Sequence, residues 1–307
     1  MAVLAAPGTQ PIRRLSSQPR VEAFTGQMFA LPALLLIVGL LIVPILVVIV
    51  LGFSDYQLGA IEWSWIGLGN YQRMLDDPVF WRSISNTFLY VAAVVPGSVL
   101  SALVVAILVN DRKHFKSVYQ IIYFLPVTTT LIAMSVVWHF VLNPQLGPIA
   151  GVLRALGLPP VDLFGDPDLV LIALSLIGIW QLVGFNMVLF LAGLTAIPHD
   201  LYDAAAIDGA DHPWDRFARV TWPMLGPTTV FVVVTTTITA FRVFDTVAVI
   251  TRGGPIGRSE VMLYDIYLEG FQYFEIGYAS ALTVVFLVVV VVLAVLQAFF
   301  LDRKVHY

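Results

Sequence analysis

"DLYDAAAIDGADHPWDRF", residues 200–217, lies between two apolar stretches, 169–196 and 224–250, and packs five carboxylates, a histidine and an arginine into one short loop. Pro198 presets φ and Asp200 puts an acid near the positive end of a helix dipole, so both suit a helix start. "LYDAAAI" is strong helix former, and its three alanines leave a smooth face for close packing. Gly209 falls where that helix must end, since glycine takes the left-handed conformation at little cost. "WDRFARVTWP" then offers Trp214, Phe217 and Val220 on one face, with Arg216 and Arg219 elsewhere, and Pro223 before the next apolar stretch. The reading is a short helix, a glycine turn and a second amphipathic stretch, fixed at both ends to long apolar segments.

Those flanks belong to a pattern that runs the length of the chain. Of its 307 residues 59% are hydrophobic and 12% charged, and the mean hydropathy is +0.89. A soluble domain carries about 25% charged residues. Six stretches are free or nearly free of charge, at about 28–53, 86–110, 118–142, 169–196, 224–250 and 277–300. Each is long enough to cross a hydrocarbon core of about 30 Å as a helix. Lipid offers no partner to unpaired backbone groups, so helices and not strands are expected. The sequence therefore predicts an all-α integral membrane protein with six transmembrane helices. Residues 1–27 form an N-terminal tail and 28–307 a single membrane domain, with 198–223 as the loop between spans 4 and 5. The first apolar stretch is too long for a cleavable signal and reads as a retained anchor.

Lys and Arg in the short loops set the orientation. Arg13, Arg14, Arg20, Arg112, Lys113, Lys116, Arg216, Arg219, Arg303 and Lys304 fall on one side. Arg73, Arg82, Arg154, Arg252 and Arg258 fall on the other, with Arg242 inside the fifth span. Ten against five places both termini and the 198–223 loop in the cytoplasm. The net charge of −4 is partitioned by loop and carries no message about a partner. Zero cysteines excludes disulfides, thiolate metal sites and cysteine catalysis.

The outer loops have their own character. Trp63, Trp65, Tyr71 and Trp81 in the 54–83 loop suit an interfacial belt. The 143–168 loop is rich in Pro and Gly and is expected to be mostly turns. The fifth loop has a Gly-Gly-Pro turn followed by a short amphipathic helix from about Val261 to Phe271. Pro44, Pro96, Pro126 and Pro227 within or near spans each remove an intrahelical bond and tend to kink a helix. No internal repeat stands out, which weakens an inverted-repeat carrier.

"DAAAIDGA" followed by a basic-aromatic stretch and Pro223 resembles the EAA loop of permease subunits of bacterial ATP-binding-cassette importers. The resemblance is to the carbohydrate-uptake branch, similar to the maltose and glycerol-phosphate permeases. "WIGLGNYQRMLDDPVFWRSISNT" (65–87), "YFLPV" (123–127), "WQLVGFNMVLFLAGLTAIP" (180–198), "AFRVFDTVAVITRGGP" (240–255) and "IGYASA" (276–281) agree in order across nearly the whole chain. Two departures stand out. Asp203 replaces the usual Glu, and the Gly209-to-Pro223 spacing is one residue longer, near His212–Pro213.

The resemblance implies a type I importer permease fold in a bacterial plasma membrane, with the 198–223 loop as a coupling helix docked on a cytoplasmic ATPase. It points to Asp203, Ala204, Ala205 and Gly209 as the docking core, with Asp208, Arg216 and Pro223 beside them. It also implies a second homologous permease subunit, two ATPase subunits and an extracytoplasmic solute-binding protein, a sugar as substrate, and no nucleic acid. No cofactor is expected on this chain. No G-x-x-x-x-G-K-[ST] sequence occurs in it, and "GGPIGRS" (253–259) lacks the spacing and the Lys. ATP and Mg would thus be bound by the partner ATPase subunits.

Polar groups at membrane depth are costly and are functional suspects by default. Here they are Gln181 and Asn186 in the fourth span, and Thr235, Thr236, Thr237, Thr239, Arg242 and Asp245 in the fifth. Arg242 and Asp245 are spaced to pair on one helix face, and the threonines can bond back to their own helix. His139 reads as a solvated or packing histidine. Similarity to the maltose-type permease points to Gly178, Gln181, Leu182 and Phe185, and to Thr236 and Ala240, as the positions facing the sugar, Phe185 offering an aromatic face. Arg242 leaves a glycerol phosphate or another small polar solute open. An ion-coupled secondary carrier would need Asp245 as its intramembrane acid. An enzyme would need the scattered histidines to cluster. An importer for amino acids, metal ions or phosphate fits the sugar-type segments less well.

Overall fold

Helix is the element that all six apolar stretches adopt. The computed structural model describes residues 19–112, 114–210 and 212–302. Arg13, Arg14, Lys113, Arg303 and Lys304, used above for orientation, lie outside the described residues. The only strand-like pairing among the described residues is an isolated bridge between Ser54 and Trp65. The chain divides into two compact units, Met1–Val50 and Leu51–Tyr307.

In the first unit, α1 (Pro19–Ile37) passes through a wide π turn at Val38–Ile42 into α2 (Val43–Leu51). Pro44 has no N–H to return to the preceding turn, and a widened turn just before it absorbs the lost bond.

The second unit opens with α3 (Gly69–Asp76) and the long α4 (Pro78–Asn110). This second span starts well before residue 86, the expected boundary. Asp77 caps it, its carboxylate accepting the Val79 N–H at 2.8 Å, and Pro78 occupies the first turn. Pro96 sits inside α4 without ending it. The expected third span, 118–142, is two helices, α5 (Lys116–Thr128) and α6 (Leu131–Val141), bent by 99°. Pro126 weakens the helix just ahead of Thr129 and Thr130, which are both extended. The 143–168 loop is not only turns, because α7 (Pro148–Ala155) forms behind a proline in its first turn.

The fourth span is the single helix α8 (Val170–Thr195), followed by α9 (His199–Ile207). The chain then runs through α10 (Pro213–Arg216), a π turn and α11 (Trp222–Met224) to α12 (Gly226–Phe241). The last two helical segments meet at 67°. The fifth span was expected to continue to residue 250. Instead α12 stops at Phe241, and a separate π turn, Val247–Thr251, follows. Next come α13 (Met262–Tyr267), a π turn at Leu268–Gln272 and α14 (Ile276–Asp302). Among the described residues, four helices are long and apolar enough to cross a membrane, or six if each bent pair is one span.

Two apolar clusters fill the second unit, both built on α4 and α8, which pack against each other. One gathers Phe80, Tyr90, Val94, Leu174, Ile177, Phe241, Val247, Met262 and Leu282. The other gathers Ala102, Ala106, Met187, Phe190, Leu194, Ile197, Val220, Leu225 and Val232, toward the α9 end. Small residues where the helices cross let backbones approach closely. At Gly184 of α8 a methyl group would overlap the Tyr123 carbonyl oxygen of α5.

Candidate functional site

The 198–223 loop forms a hydrogen-bonded corner. Helix α9 starts after Pro198 and ends at Asp208, and Gly209 follows at φ +84°. The Ala210 N–H donates to the Ala205 carbonyl at 2.8 Å and the Gly209 N–H to the Ala206 carbonyl at 3.1 Å. This paired closure at a left-handed glycine satisfies carbonyls that the helix end would otherwise leave open. Ala210 is fully buried, and its carbonyl accepts the Arg216 Nε–H at 3.0 Å, which ties the second arm to the first. His212 caps that arm by accepting the Trp214 N–H.

The corner is also fixed to the bundle. The Tyr202 hydroxyl lies 3.0 Å from the Thr221 hydroxyl, and Tyr202, Ala205 and Phe217 pack on the cluster containing Leu194 and Val220. Asp203, Ala204, Asp208 and Gly209 face outward, and Ala205 is half-buried. Ile207 is 87% exposed and Trp214 67%. Both apolar side chains are thus carried openly on a braced loop. Pro223 lies within α11, just before the 67° bend into α12.

The suspected pathway residues separate into two groups. Gln181 of α8 and Arg242 and Asp245 beyond α12 line one cavity of about 220 Å³, together with Gly178, Leu182, Thr239, Ala240 and Tyr90. Phe185, one turn below Gln181, is exposed. Arg242 and Asp245 form no ion pair among the described residues; the helix that would have aligned them has ended at Phe241. The expectation of a self-satisfied pair is thus corrected by the helix break.

Asn186 and Thr236 fall in the other group, in the packing between spans and not on an open wall. The Thr236 hydroxyl donates to Asn186 Oδ1 at 3.1 Å, and Asn186 Nδ2 approaches the Ser98 hydroxyl at 3.4 Å. Both side chains are buried, so α4, α8 and α12 are stitched by a polar thread inside an apolar bundle. Thr235, Thr237 and Thr239 do return hydrogen bonds to their own helix, as expected. His139 stacks on Phe164 at 5.9 Å, a packing role.

Sequence reasoning missed a third constellation, which clamps the start of α4 to the segment 257–265. Arg82 pairs with Glu260 at 2.8 Å. Asn86 donates to the Glu260 and Gly257 carbonyls, and the Thr87 hydroxyl accepts the Met262 N–H at 2.9 Å. The Ser83 hydroxyl donates to Asp265 Oδ2 at 3.1 Å. Helical spacing of Ser83, Asn86 and Thr87 was the available signal.

Burial pushes the Asp265 carboxyl up to about 7; the Ser83 hydrogen bond opposes this, and the Glu260, Glu269 and Asp77 carboxylates add to it. The folded form holds this proton more tightly than the unfolded chain, whose carboxyl titrates near the ordinary 3.8. The group's contribution to stability is therefore full below that value and is lost as pH rises to about 7. The detergent-purified protein should show a higher unfolding temperature at the acid end of this window, and Asp265→Asn should flatten the difference. An unchanged slope in the variant would remove Asp265 as its source.

Apolar helices around a small polar-walled cavity, with a braced, exposed loop on the α9 side, fit a membrane transport permease. A family profile described as "Binding-protein-dependent transport system inner membrane component" matches residues 80–307, and the chain belongs to that family. It is the permease subunit of an ATP-binding-cassette importer. Among similar proteins is the lactose transport system permease protein LacF of Rhizobium radiobacter, 32% identical over 92% of this chain and 95% of that protein. Another is the trehalose/maltose transport system permease protein MalF of Thermococcus litoralis, 32% identical over 83% of this chain and 85% of its own length. The sn-glycerol-3-phosphate permease UgpA of Agrobacterium fabrum is 31% identical over 80% and 83%. A chain of a solved bacterial alginate transporter, in complex with a periplasmic protein bound to alginate pentasaccharide, superposes with a TM-score of 0.82. It has 21% identity and covers 92% of this chain and 96% of that one. That likeness establishes the type I permease fold.

Proposed function

We propose that this subunit, paired with a second homologous permease, carries a sugar across the bacterial plasma membrane by alternating access. Two cytoplasmic ATPase subunits drive it through α9, and an extracytoplasmic solute-binding protein delivers the sugar. ATP and Mg are held by the ATPase subunits, and both termini of this chain face the cytoplasm. The observation that carries this reading is the outward Ile207 on a helix that Gly209 and Ala210 close and that Tyr202 ties to Thr221 and to the span cluster around Leu194. A force on α9 reaches the spans through the Tyr202–Thr221 contact and the packing of Tyr202, Ala205 and Phe217 on the cluster that holds Leu194 and Val232.

The named relatives that transport lactose, trehalose or maltose, and the polar wall of Gln181 and Asp245, support sugar as the substrate class. Arg242 on the same wall supports a second reading, sn-glycerol 3-phosphate or another small anionic solute, because a guanidinium matches phosphate geometry.

The absence of cysteine makes the coupling surface directly testable. Ile207→Cys should label with a membrane-impermeant maleimide from the cytoplasmic face of inside-out vesicles, and assembly with the ATPase subunits should protect it. Labelling from the outer face would overturn the orientation, and undiminished labelling in the assembled importer would overturn the docking.

A further inference from the structure

We propose that a second, outer cavity beside Phe244 is an entry subsite that holds a pyranose ring before it reaches the cavity at Gln181. This rests on the sugar-importer reading. The outer cavity has a volume of about 600 Å³ and lies between α6, the Phe244–Arg252 segment and the stretch from Tyr264 to Tyr273. Small-ligand sites run from roughly 300 to 1,000 Å³. Phe244 and Asp245 belong to its wall and also to that of the inner cavity, so these two side chains border both spaces.

The wall is built of aromatic rings at helical spacing. Tyr264 and Tyr267 stack at 6.2 Å between centroids, and Tyr267 and Phe271 at 5.8 Å. Phe244 sets its edge against Tyr267 at 5.3 Å. Tyr264 is buried and serves the core, while Tyr273 on the same wall is 62% exposed and presents a ring with nothing packed over most of it. Polar groups stand at the rim. Gln272 donates to the Tyr267 hydroxyl at 3.1 Å. Among the described residues, Asp245 and Arg252 carry no ion pair and no side-chain hydrogen bond.

A pyranose matches this division. Its C–H face is apolar enough to lie on an aromatic ring, and its ring hydroxyls can donate to a carboxylate and accept from a guanidinium at once. A glycerol phosphate has no ring face to use. The two cavities therefore form a relay, with the aromatic wall receiving the sugar and Phe244 standing between it and the inner polar wall.

The test uses the complete importer in proteoliposomes with lactose, trehalose, maltose and sn-glycerol 3-phosphate as probes. Tyr273→Ala should lower the sugar moved per ATP consumed by about three- to tenfold, the effect of an aromatic contact, and Tyr273→Phe should restore it. Transport of any glycerol phosphate should be unaffected. A sugar that wild type carries and Tyr273→Ala carries at an unchanged ratio overturns the entry subsite alone. Wild type carrying none of the three sugars overturns the sugar reading and the subsite with it.

Discussion

Gly209→Val should abolish ATP-driven uptake while leaving the amount of membrane-inserted subunit unchanged. The reason is conformational and not steric. A Cβ at Gly209 would meet no heavy atom within 4 Å, yet the residue sits at φ +84°. For an L side chain the left-handed region costs about 1–2 kcal/mol, and a β-branched residue is the least tolerant of it. The turn would relax to negative φ, and the bonds from Gly209 and Ala210 to the Ala206 and Ala205 carbonyls would break. Ala210 would leave its buried site, and Arg216 would lose the carbonyl that orients the second arm. Helix α9 would then point differently from the spans it packs against, although nothing in the bundle core has changed. Uptake should rank Gly209→Asn above Gly209→Ala above Gly209→Val, because Asn accepts the left-handed conformation best of the three. The measurement pairs vesicle uptake with immunodetected subunit in the membrane fraction. Normal transport by the Val variant would separate this corner from coupling.

Much of this architecture is legible in the sequence because lipid imposes helices and long runs of uncharged residues betray them. The corner at 198–223 was equally plain, since Pro198, the alanine run and Gly209 are local signals with local causes. What the sequence hides is where a span breaks. Pro126 looked like one more membrane proline, but its effect is a 99° bend that only the extended Thr129 and Thr130 reveal. Pro227, expected to kink the fifth span, instead lies in the first turn of α12, where its missing N–H costs nothing. The end of α12 at Phe241 separates Arg242 from Asp245, and no residue in that stretch announces it.

The candidate site was half visible for a similar reason. Polar residues at membrane depth stand out in the sequence as a class, but only neighbours from other helices decide where each one is used. Ser98 and Thr236 consume Asn186, whereas Gln181, five residues earlier, looks into a cavity. The clamp of Ser83, Asn86 and Thr87 on Glu260 and Met262 joins residues more than 170 positions apart, a distance that periodicity does not see.

Gly184→Ala should cost more folded protein than any other single methyl added to a glycine of the spans. The added Cβ would lie inside contact distance of three backbone atoms, the carbonyl oxygen and carbon of Tyr123 and the Cα of Phe124. A side chain in that position could rotate away, but backbone cannot, so α5 and α8 would have to part. Overpacking typically costs about 1–3 kcal/mol when side chains can yield, and here they cannot. Gly178→Ala is the graded comparison, because its new methyl meets the movable end of Tyr90, and Gly39→Ala is the blank, with nothing within 4 Å. Recovery of monodisperse protein and its unfolding temperature in detergent should fall in the order Gly39, Gly178, Gly184. If Gly184→Ala matched the blank, α5 and α8 would not touch as closely as the structure has them. The seam matters beyond stability. α5 is already interrupted after Thr128, so its contact with α8 holds a broken span in place. A methyl that loosens this seam should therefore release the α5–α6 bend beside the Gln181 cavity, and transport by whatever protein survives should fall with it.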